Sequence, residues 1–129
     1  MEQKHIGLFD LAQKRLTWTE RRQAVLAQNI ANASTPGFRP RDVTPFSDTL
    51  ARTSAAEPRR TQPTHLIGKQ AAQGQTILQQ PRARAPDGNA VSLDEQLTKV
   101  ADTESAQALT TTIYRKYMAL FAMALGKSA

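Results

Sequence analysis

The sequence predicts an all-α fold, in which two long terminal helices form an antiparallel, coiled-coil-like pair joined by an irregular proline-rich connector. All seven prolines lie between Pro36 and Pro86. Because proline removes a backbone donor and clashes with the preceding helical turn, only the two ends can hold long helices. The predicted segments of this single axial domain are an N-terminal helix and turn (1–38), a connector (39–91) and a C-terminal helix (92–129).

The N-terminal helix is predicted over residues 6–33, where side chains recur at alternating spacings of three and four. This stripe consists of Phe9, Ala12, Leu16, Thr19, Gln23, Leu26, Ile30 and Ala33. Its middle is polar, at Thr19 and Gln23. Polar positions in a helix seam cost stability but can fix register and partner choice. The alternative, that these residues face solvent, stays open at this point.

A sharp turn is predicted where this helix ends, in the segment NIANASTPGF (29–38). Thr35 precedes proline and is disfavoured in helical geometry, while Pro36 and Gly37 fit the two central positions of a type II turn. Phe38 is then placed to fold back on the helix end or to dock in a neighbour.

The connector is predicted to be irregular, with short extended segments near residues 64–67 or 75–78. It also carries most of the net charge of +6, with eight Lys and Arg against four Asp and Glu in residues 39–91. Most of the excess therefore lies outside the helices and does not form a basic recognition helix. Its arginine pairs lack interleaved aromatic residues, which is typical of a solvated loop.

The C-terminal helix has the more complete apolar pattern. Its heptad stripe consists of Leu93, Leu97, Val100, Glu104, Gln107, Thr111, Tyr114, Met118, Phe121 and Leu125, and a second stripe of Leu109, Ile113, Tyr117, Leu120 and Ala124 runs beside it. The last five turns are thus apolar over an arc that a single partner helix would not cover.

The ends of this helix are marked by local signals. Ser92 and Glu95 have the capping-box spacing, in which each side chain bonds the backbone of the other residue. The preceding Pro-Asp-Gly-Asn run (86–89) predicts a turn, and Gly126 suits a C-terminal cap.

Nothing in the sequence predicts catalysis, a cofactor or a metal. It contains no cysteine, Gly-rich phosphate loop or zinc motif, and its two histidines, His5 and His65, stand apart from other metal-ligand types. No run of about 18 apolar residues predicts a transmembrane segment. The aromatic and methionine side chains near the C-terminus could form a lipid or cofactor face, but helical spacing favours a core or subunit interface.

The stretch NIANASTPGFRPRD resembles the N-terminal signature of bacterial flagellar rod and hook proteins. Arg41-Asp42, and Pro-Asp-Gly-Asn-Ala-Val (86–91) leading into the last helix, resemble the proximal rod branch of this family. The resemblance implies a structural subunit of the periplasmic rod, exported by the flagellar type III apparatus without a cleaved signal. It implies as neighbours other rod proteins such as FlgC, the adaptor FliE, the membrane ring and export apparatus, and further copies of the chain, with no nucleic acid.

We therefore expect the helices to provide the subunit interface, through Phe9, Leu16, Leu26, Ile30, Leu93, Leu97, Val100, Tyr114, Met118, Phe121 and Leu125. The turn motif is expected to consist of Asn29, Asn32, Thr35, Pro36, Gly37 and Phe38. The isolated protein should be partly disordered until neighbours cover its apolar stripes. Two other functions remain open on composition: a small basic nucleic-acid-binding protein, and a secretion chaperone or adaptor.

Overall fold

The computed structural model describes residues 7–54, 76–80 and 83–126, and these segments are mostly helical. In chain order the elements are α1 (Gly7–Ala31), β1 (Arg41–Val43), α2 (Phe46–Ser54), β2 (Thr76–Leu78) and α3 (Leu93–Ala124). The two long helices fall where the proline-free ends of the chain predict them.

Helices α1 and α3 pack side by side in antiparallel orientation. The ring of Phe9, near the start of α1, lies 5.7 Å from that of Phe121, near the end of α3. Farther along α1, Gln23 donates a hydrogen bond of 2.9 Å to Gln107. Since later residues of α1 meet earlier residues of α3, the helices run in opposite directions.

The predicted all-α architecture with short extended segments is confirmed in part, because the described residues are mostly helical but also form a small sheet after the turn. There β1 pairs with β2 in an antiparallel two-stranded sheet, in which Arg41 lies opposite Leu78 and Val43 opposite Thr76. Strand β2 falls within the extended segment predicted at 75–78, whereas 64–67 lies outside the described residues.

Helix α2 departs from the expectation that the connector is irregular. Residues 46–57 contain no proline, which leaves room for a short helix. Pro45 lies just before its first turn, where the absence of a backbone N–H costs nothing. The carbonyl of Pro45 accepts from the N–H groups of Asp48 and Thr49.

The buried core lies where the second half of α1 meets β1 and the start of α3, and it is rich in polar side chains. Its apolar members are Trp18, Leu26, Val43 and Ala90, and its polar members are Thr19, Asn29, Thr44, Asn89, Gln96 and Thr103. Every buried side-chain nitrogen or oxygen in the described residues has a hydrogen-bond partner. The core is therefore held by directional bonds as well as by apolar burial.

The face that α3 turns toward α1 differs from the predicted stripe. Gln96 and Thr103 are fully buried, whereas Leu93 and Leu97 are about half-exposed, at 47% and 51%, and Glu104 is exposed. The prediction assumes that the apolar residues of α3 face α1, but the carboxamide of Asn29 selects Gln96 instead. Thr19 is buried and Gln23 is bonded to Gln107, so the solvent-facing alternative is wrong for Thr19 and Gln23.

Candidate assembly surface and turn motif

The end of α3 exposes a concentration of large apolar side chains, which we name the terminal patch. Tyr114 is 37% exposed and Met123 is 73% exposed, and the other members lie between these values. The terminal patch consists of Leu109, Ile113, Tyr114, Tyr117, Met118, Leu120, Phe121, Met123 and Leu125. Consecutive members such as Leu120 and Phe121 point in different directions, so the patch extends around the helix. A single flat partner would leave some of it in water.

Phe9 covers one side of the terminal patch from within the chain. Its ring makes edge-to-face contacts with Tyr114, at 5.3 Å between centroids, and with Phe121, at 5.7 Å. Such aromatic pairs stabilise packing by about 0.5–1.5 kcal/mol beyond area burial. Even so, Tyr114 and Phe121 keep 37% and 41% of their surface exposed. The contact anchors the start of α1 on α3 and leaves the outer side of both rings open.

The other predicted interface residues divide into inner and outer positions. Leu26 is fully buried inside the chain, which differs from the expectation that it contacts a neighbour. Leu16, Ile30 and Val100 are half-buried. The remaining members, on α3, are exposed: Leu93, Leu97, Met118 and Leu125. The exposed members are those that a neighbouring molecule could reach.

The turn after α1 is formed by residues 35–38. The N–H of Phe38 donates to the carbonyl of Thr35 at 3.2 Å, and Gly37 has a φ of +70°, which an L side chain rarely adopts. Asn32 braces the start of the turn, because its carboxamide donates to the Gln28 carbonyl and accepts from the Thr35 hydroxyl. Pro36 is exposed between these bonds, and Phe38 is half-buried.

A second loop, just before α3, docks onto this turn. The N–H of Gly37 donates to the carbonyl of Asp87 at 3.1 Å, and the N–H of Ala90 donates to that of Phe38 at 3.0 Å. Gly88 packs against Gly37, since a Cβ built on Gly88 would lie 3.5 Å from the Gly37 Cα. The two loops are thus joined backbone to backbone.

Asn89 is the side chain that closes this junction. Its Nδ2 donates to the carbonyls of Asn32 at 3.0 Å and Thr35 at 2.6 Å, while its Oδ1 accepts from the N–H of Val91. The last carbonyls of a helix have no partner within the helix. Asn89 supplies partners to the chain leaving α1 and, in doing so, ties the beginning of α3 to the end of α1.

Asn29, which lies in the last turn of α1, has a matching role. Its Nδ2 donates to the Arg41 carbonyl at 2.7 Å and to Gln96 Oε1 at 2.8 Å, and its Oδ1 accepts from the Arg41 N–H at 3.0 Å. Gln96 in turn donates to Gln79 Oε1 at 3.3 Å. A single buried side chain therefore holds α1, β1 and α3 together.

Charged groups support the junction on its outer side. Arg22 binds Asp42 through two nitrogens, at 3.0 and 3.1 Å, and Lys99 lies 3.8 Å from Asp42 and 2.9 Å from Glu95. Bidentate arginine–carboxylate pairs fix geometry as well as charge. The ion pairs thus connect α1 and α3 through β1.

The packing of α2 on α1 is centred on the single tryptophan. Trp18 Nε1 donates to the Thr44 carbonyl at 2.8 Å, and the Arg15 guanidinium lies 4.9 Å from the Trp18 ring and 4.8 Å from that of Phe46. Burial lowers the pKa of Arg15 below its usual value, and the positive charge of Arg22 lowers it further. These contacts fix the connector against α1 beside the ion pairs.

The predicted capping box does not form. Ser92 occupies the N-cap position of α3 with extended backbone geometry, but its side chain makes no cap hydrogen bond. Glu95 is engaged instead by Lys99, one turn later. The helix dipole still stabilises the negative charge of Glu95 near the N-terminus of α3. At the other end Gly126 has a φ of +71° and donates to the Met123 carbonyl, as the predicted cap requires.

Sequence reasoning missed Asn89 and Gln96 as structural residues. The sequence around Asn89 indicates only a local turn. Its side chain bonds Thr35 and Asn32, which lie 54 and 57 residues earlier in the sequence, and such distant partners leave no local signal. Gln96 lies beside the predicted stripe, next to Leu97. The signal that could have found it is an Asn or Gln placed opposite another polar residue of the helix pair.

Within residues 7–54, 76–80 and 83–126, no group of three or more His, Asp or Glu side chains is placed to hold a metal ion. In the same segments of the chain, no helix combines the length and apolarity needed to cross a membrane.

Comparison with known proteins points in one direction. The family model for flagella basal body rod proteins matches residues 9–39, which include most of α1 and the turn motif. The chain is 32% identical over 123 residues to the flagellar basal body rod protein FlgB of Agrobacterium fabrum, and the match covers 92% of each protein. It is 34% identical over 100 residues to FlgB of Escherichia coli, covering 70% of this chain and 72% of that protein. It is 35% identical over 89 residues to FlgB of Cereibacter sphaeroides, covering 67% and 69%.

Proposed function

Because this chain belongs to the family of flagellar basal body rod proteins, we propose that it joins its neighbours through the terminal patch while the turn motif holds the two long helices in place. The chain is a structural subunit of the proximal rod. The proposal concerns how it assembles, and which of its surfaces do so.

The exposed terminal patch is the observation that carries this proposal. Nine large apolar side chains, from Leu109 to Leu125, each keep more than a third of their surface in contact with solvent. Large contiguous apolar patches are rare on monomeric proteins and mark surfaces that bind other molecules. Because the patch extends around α3, we propose that at least two neighbouring subunits share it. In the rod, α1 and α3 would then pack in coiled-coil-like fashion with helices of those neighbours.

The junction at the other end of the helix pair supports the same function. A rod transmits torque, so a subunit benefits from a fixed relation between its helices and the chain that leaves them. The docked loops at Gly37 and Gly88, closed by Asn89, provide such a relation. We propose that the turn motif directs the first part of the connector back along α1 at a constant angle.

We propose partners and location from the family resemblance. The partners are other rod proteins of the FlgC and FliE type, the membrane ring or export apparatus, and further copies of the chain. The location is the rod within the periplasm, reached by flagellar type III export without a cleaved signal peptide. The proposed role is non-enzymatic, because the matched relatives are named as rod proteins.

The two other functions considered from composition gain no support. Arg22 and Lys99 are engaged by Asp42 and Glu95, so some of the basic charge is already neutralised within the chain. Nucleic-acid binding would instead need free basic groups to contact phosphates. A secretion chaperone has no evident need for the turn motif.

The experiment replaces one outer residue of the terminal patch. Leu120 is 57% exposed, so Leu120→Asp should leave the isolated fold unchanged, whereas a carboxylate buried between subunits costs several kcal/mol. We expect a strain that carries only this variant to lack assembled rods and to be non-motile, with normal amounts of the protein.

The matched control is Ser105→Asp, which places the same charge at an exposed position on α3 before the patch begins. It should preserve motility. Normal rods and motility in the Leu120→Asp strain would contradict the proposed surface, whereas loss of both in the control strain would show that any new charge on α3 is harmful.

A further inference from the structure

Buried and half-buried polar side chains connect α1 to α3 and to the loop that precedes α3. They occur at three levels along the helix pair. Asn89 bonds the carbonyls of Asn32 and Thr35, Asn29 bonds Gln96, and Gln23 bonds Gln107. We name the five side chains that make these bonds the register set: Asn89, Asn29, Gln96, Gln23 and Gln107. The apolar contacts between the same helices are less discriminating.

The apolar pattern of α3 would tolerate a shift along α1. In its last turns the large apolar side chains recur at heptad spacing, as at Ile113 and Leu120, Tyr114 and Phe121, and Met118 and Leu125, so displacing α3 by seven residues again places apolar groups at these sites. Such a displacement amounts to about 10 Å along the axis at about 1.5 Å per residue. Burial of apolar surface has no direction and distinguishes poorly between these arrangements.

The polar pairs do distinguish between them. After a shift of one heptad, Gln23 would face Val100 or Tyr114 instead of Gln107, and Asn29 would lose Gln96. Gln96 is fully buried, at 0% exposure, so its Oε1 could not turn to water once separated from Asn29, whereas Asn29 would keep its two bonds to Arg41. Buried amides without partners are strongly disfavoured, and a single polar seam residue can select register for this reason.

We infer that the register set fixes the axial position of α3 relative to α1. This function is independent of the assembly proposed above, since it acts within one chain. It also determines which region of the terminal patch Phe9 covers, because Phe9 meets Tyr114 and Phe121 only in the observed register.

The absence of cysteine from the sequence allows a direct test by site-specific spin labelling. Labels are attached at Glu20→Cys and Ala101→Cys, both exposed. Because Gln23 lies opposite Gln107, these two sites are offset by about nine residues, or about 13 Å, along the axis. Their separation, measured by pulsed electron resonance on the full chain, therefore changes by several ångströms when α3 shifts by a heptad.

The labelled parent should give one separation. The variant Asn29→Leu, Gln96→Leu, Asn89→Ala keeps apolar volume in the seam but removes two levels of the register set, and it should give a second separation displaced from the first by several ångströms. The matched control Gln28→Leu alters an exposed carboxamide on α1 and should keep the single parental separation.

A single, unchanged separation in the triple variant, with helical content preserved, would overturn the inference. If the triple variant loses its helical content, a milder variant decides: Gln23→Leu, Gln107→Leu, Asn89→Ala, in which the altered seam positions are only half-buried. A second separation there supports the inference. Either a single separation or loss of helix in this variant as well overturns it, because the polar groups would then hold the fold and not its register.

Discussion

Replacing Asn29 with alanine should destabilise the packed region more than any change on the outer face of α1. The substitution removes three hydrogen bonds, two donated by Nδ2 and one accepted by Oδ1. The Arg41 carbonyl can keep its bond from Gln79, but the Arg41 N–H and Gln96 Oε1 lose the partner that Asn29 provides. Leaving a buried polar group unpaired costs about 1–3 kcal/mol, so two such groups amount to about 2–6 kcal/mol.

Two smaller terms offset some of this loss. Alanine is the better helix former by about 0.5 kcal/mol, and water can reach a partly opened site. We therefore expect the free energy of unfolding to fall by about 2–4 kcal/mol, a large fraction of the stability of a small domain. Exposed Gln28 provides the control, because Gln28→Ala should change stability by less than about 0.5 kcal/mol.

Trp18 supplies the assay, since it is the only tryptophan in the chain and is 7% exposed beside the same core. Its fluorescence reports unfolding of the α1 and β1 region during a urea titration. With a slope of about 1–2 kcal/mol per molar for a chain of this size, the Asn29→Ala midpoint should fall by about 1–4 M. Equal midpoints for Asn29→Ala and Gln28→Ala would refute the reasoning that this carboxamide holds three segments together.

Three further changes test the junction by the same titration. Gly37→Ala should cost about 1–2 kcal/mol because Gly37 has a φ of +70°, whereas Gly7→Ala, in open space near the helix start, should not lower stability. Asn89→Ala should cost about 1–3 kcal/mol by unpairing the Asn32 and Thr35 carbonyls. Faster amide exchange at Gly37 and Ala90, compared with an exposed Asp94→Ala control, would report separation of the loops, because these N–H groups are bonded from one loop to the other. Asp42→Asn should cost about 1–3 kcal/mol by weakening the bidentate bond from Arg22, and an unchanged midpoint would show that this ion pair is only superficial.

The sequence is informative wherever the physical cause is local. The proline distribution predicts both long helices. The turn predicted at Pro36 and Gly37 and the helix cap predicted at Gly126 both place a glycine where φ is positive, and both glycines have a positive φ. Heptad spacing also places Thr19, Gln23 and Gln107 in the seam, where they are found.

It is least informative where a long-range partner decides. Because α3 is apolar on several sides, its sequence does not indicate which side contacts α1. The hydrogen bond between Asn29 and Gln96, which are 67 residues apart in the sequence, determines that side. Strands β1 and β2 contain three residues each, too few to show a periodicity, and they exist because they pair with one another. The glutamate half of the predicted capping box fails for a local reason, since Lys99, four residues later, binds the Glu95 carboxylate.

The proposal that neighbouring subunits bury the terminal patch is tested most directly by imaging the assembled basal body at a resolution that shows side chains. We predict that Leu109, Tyr117, Leu120 and Met123 of each copy are covered by helices from at least two neighbouring molecules, and that the Asn29–Gln96 bond persists within each copy. A rod in which these side chains remain in contact with solvent, or in which subunits meet only through the connector, would contradict the account.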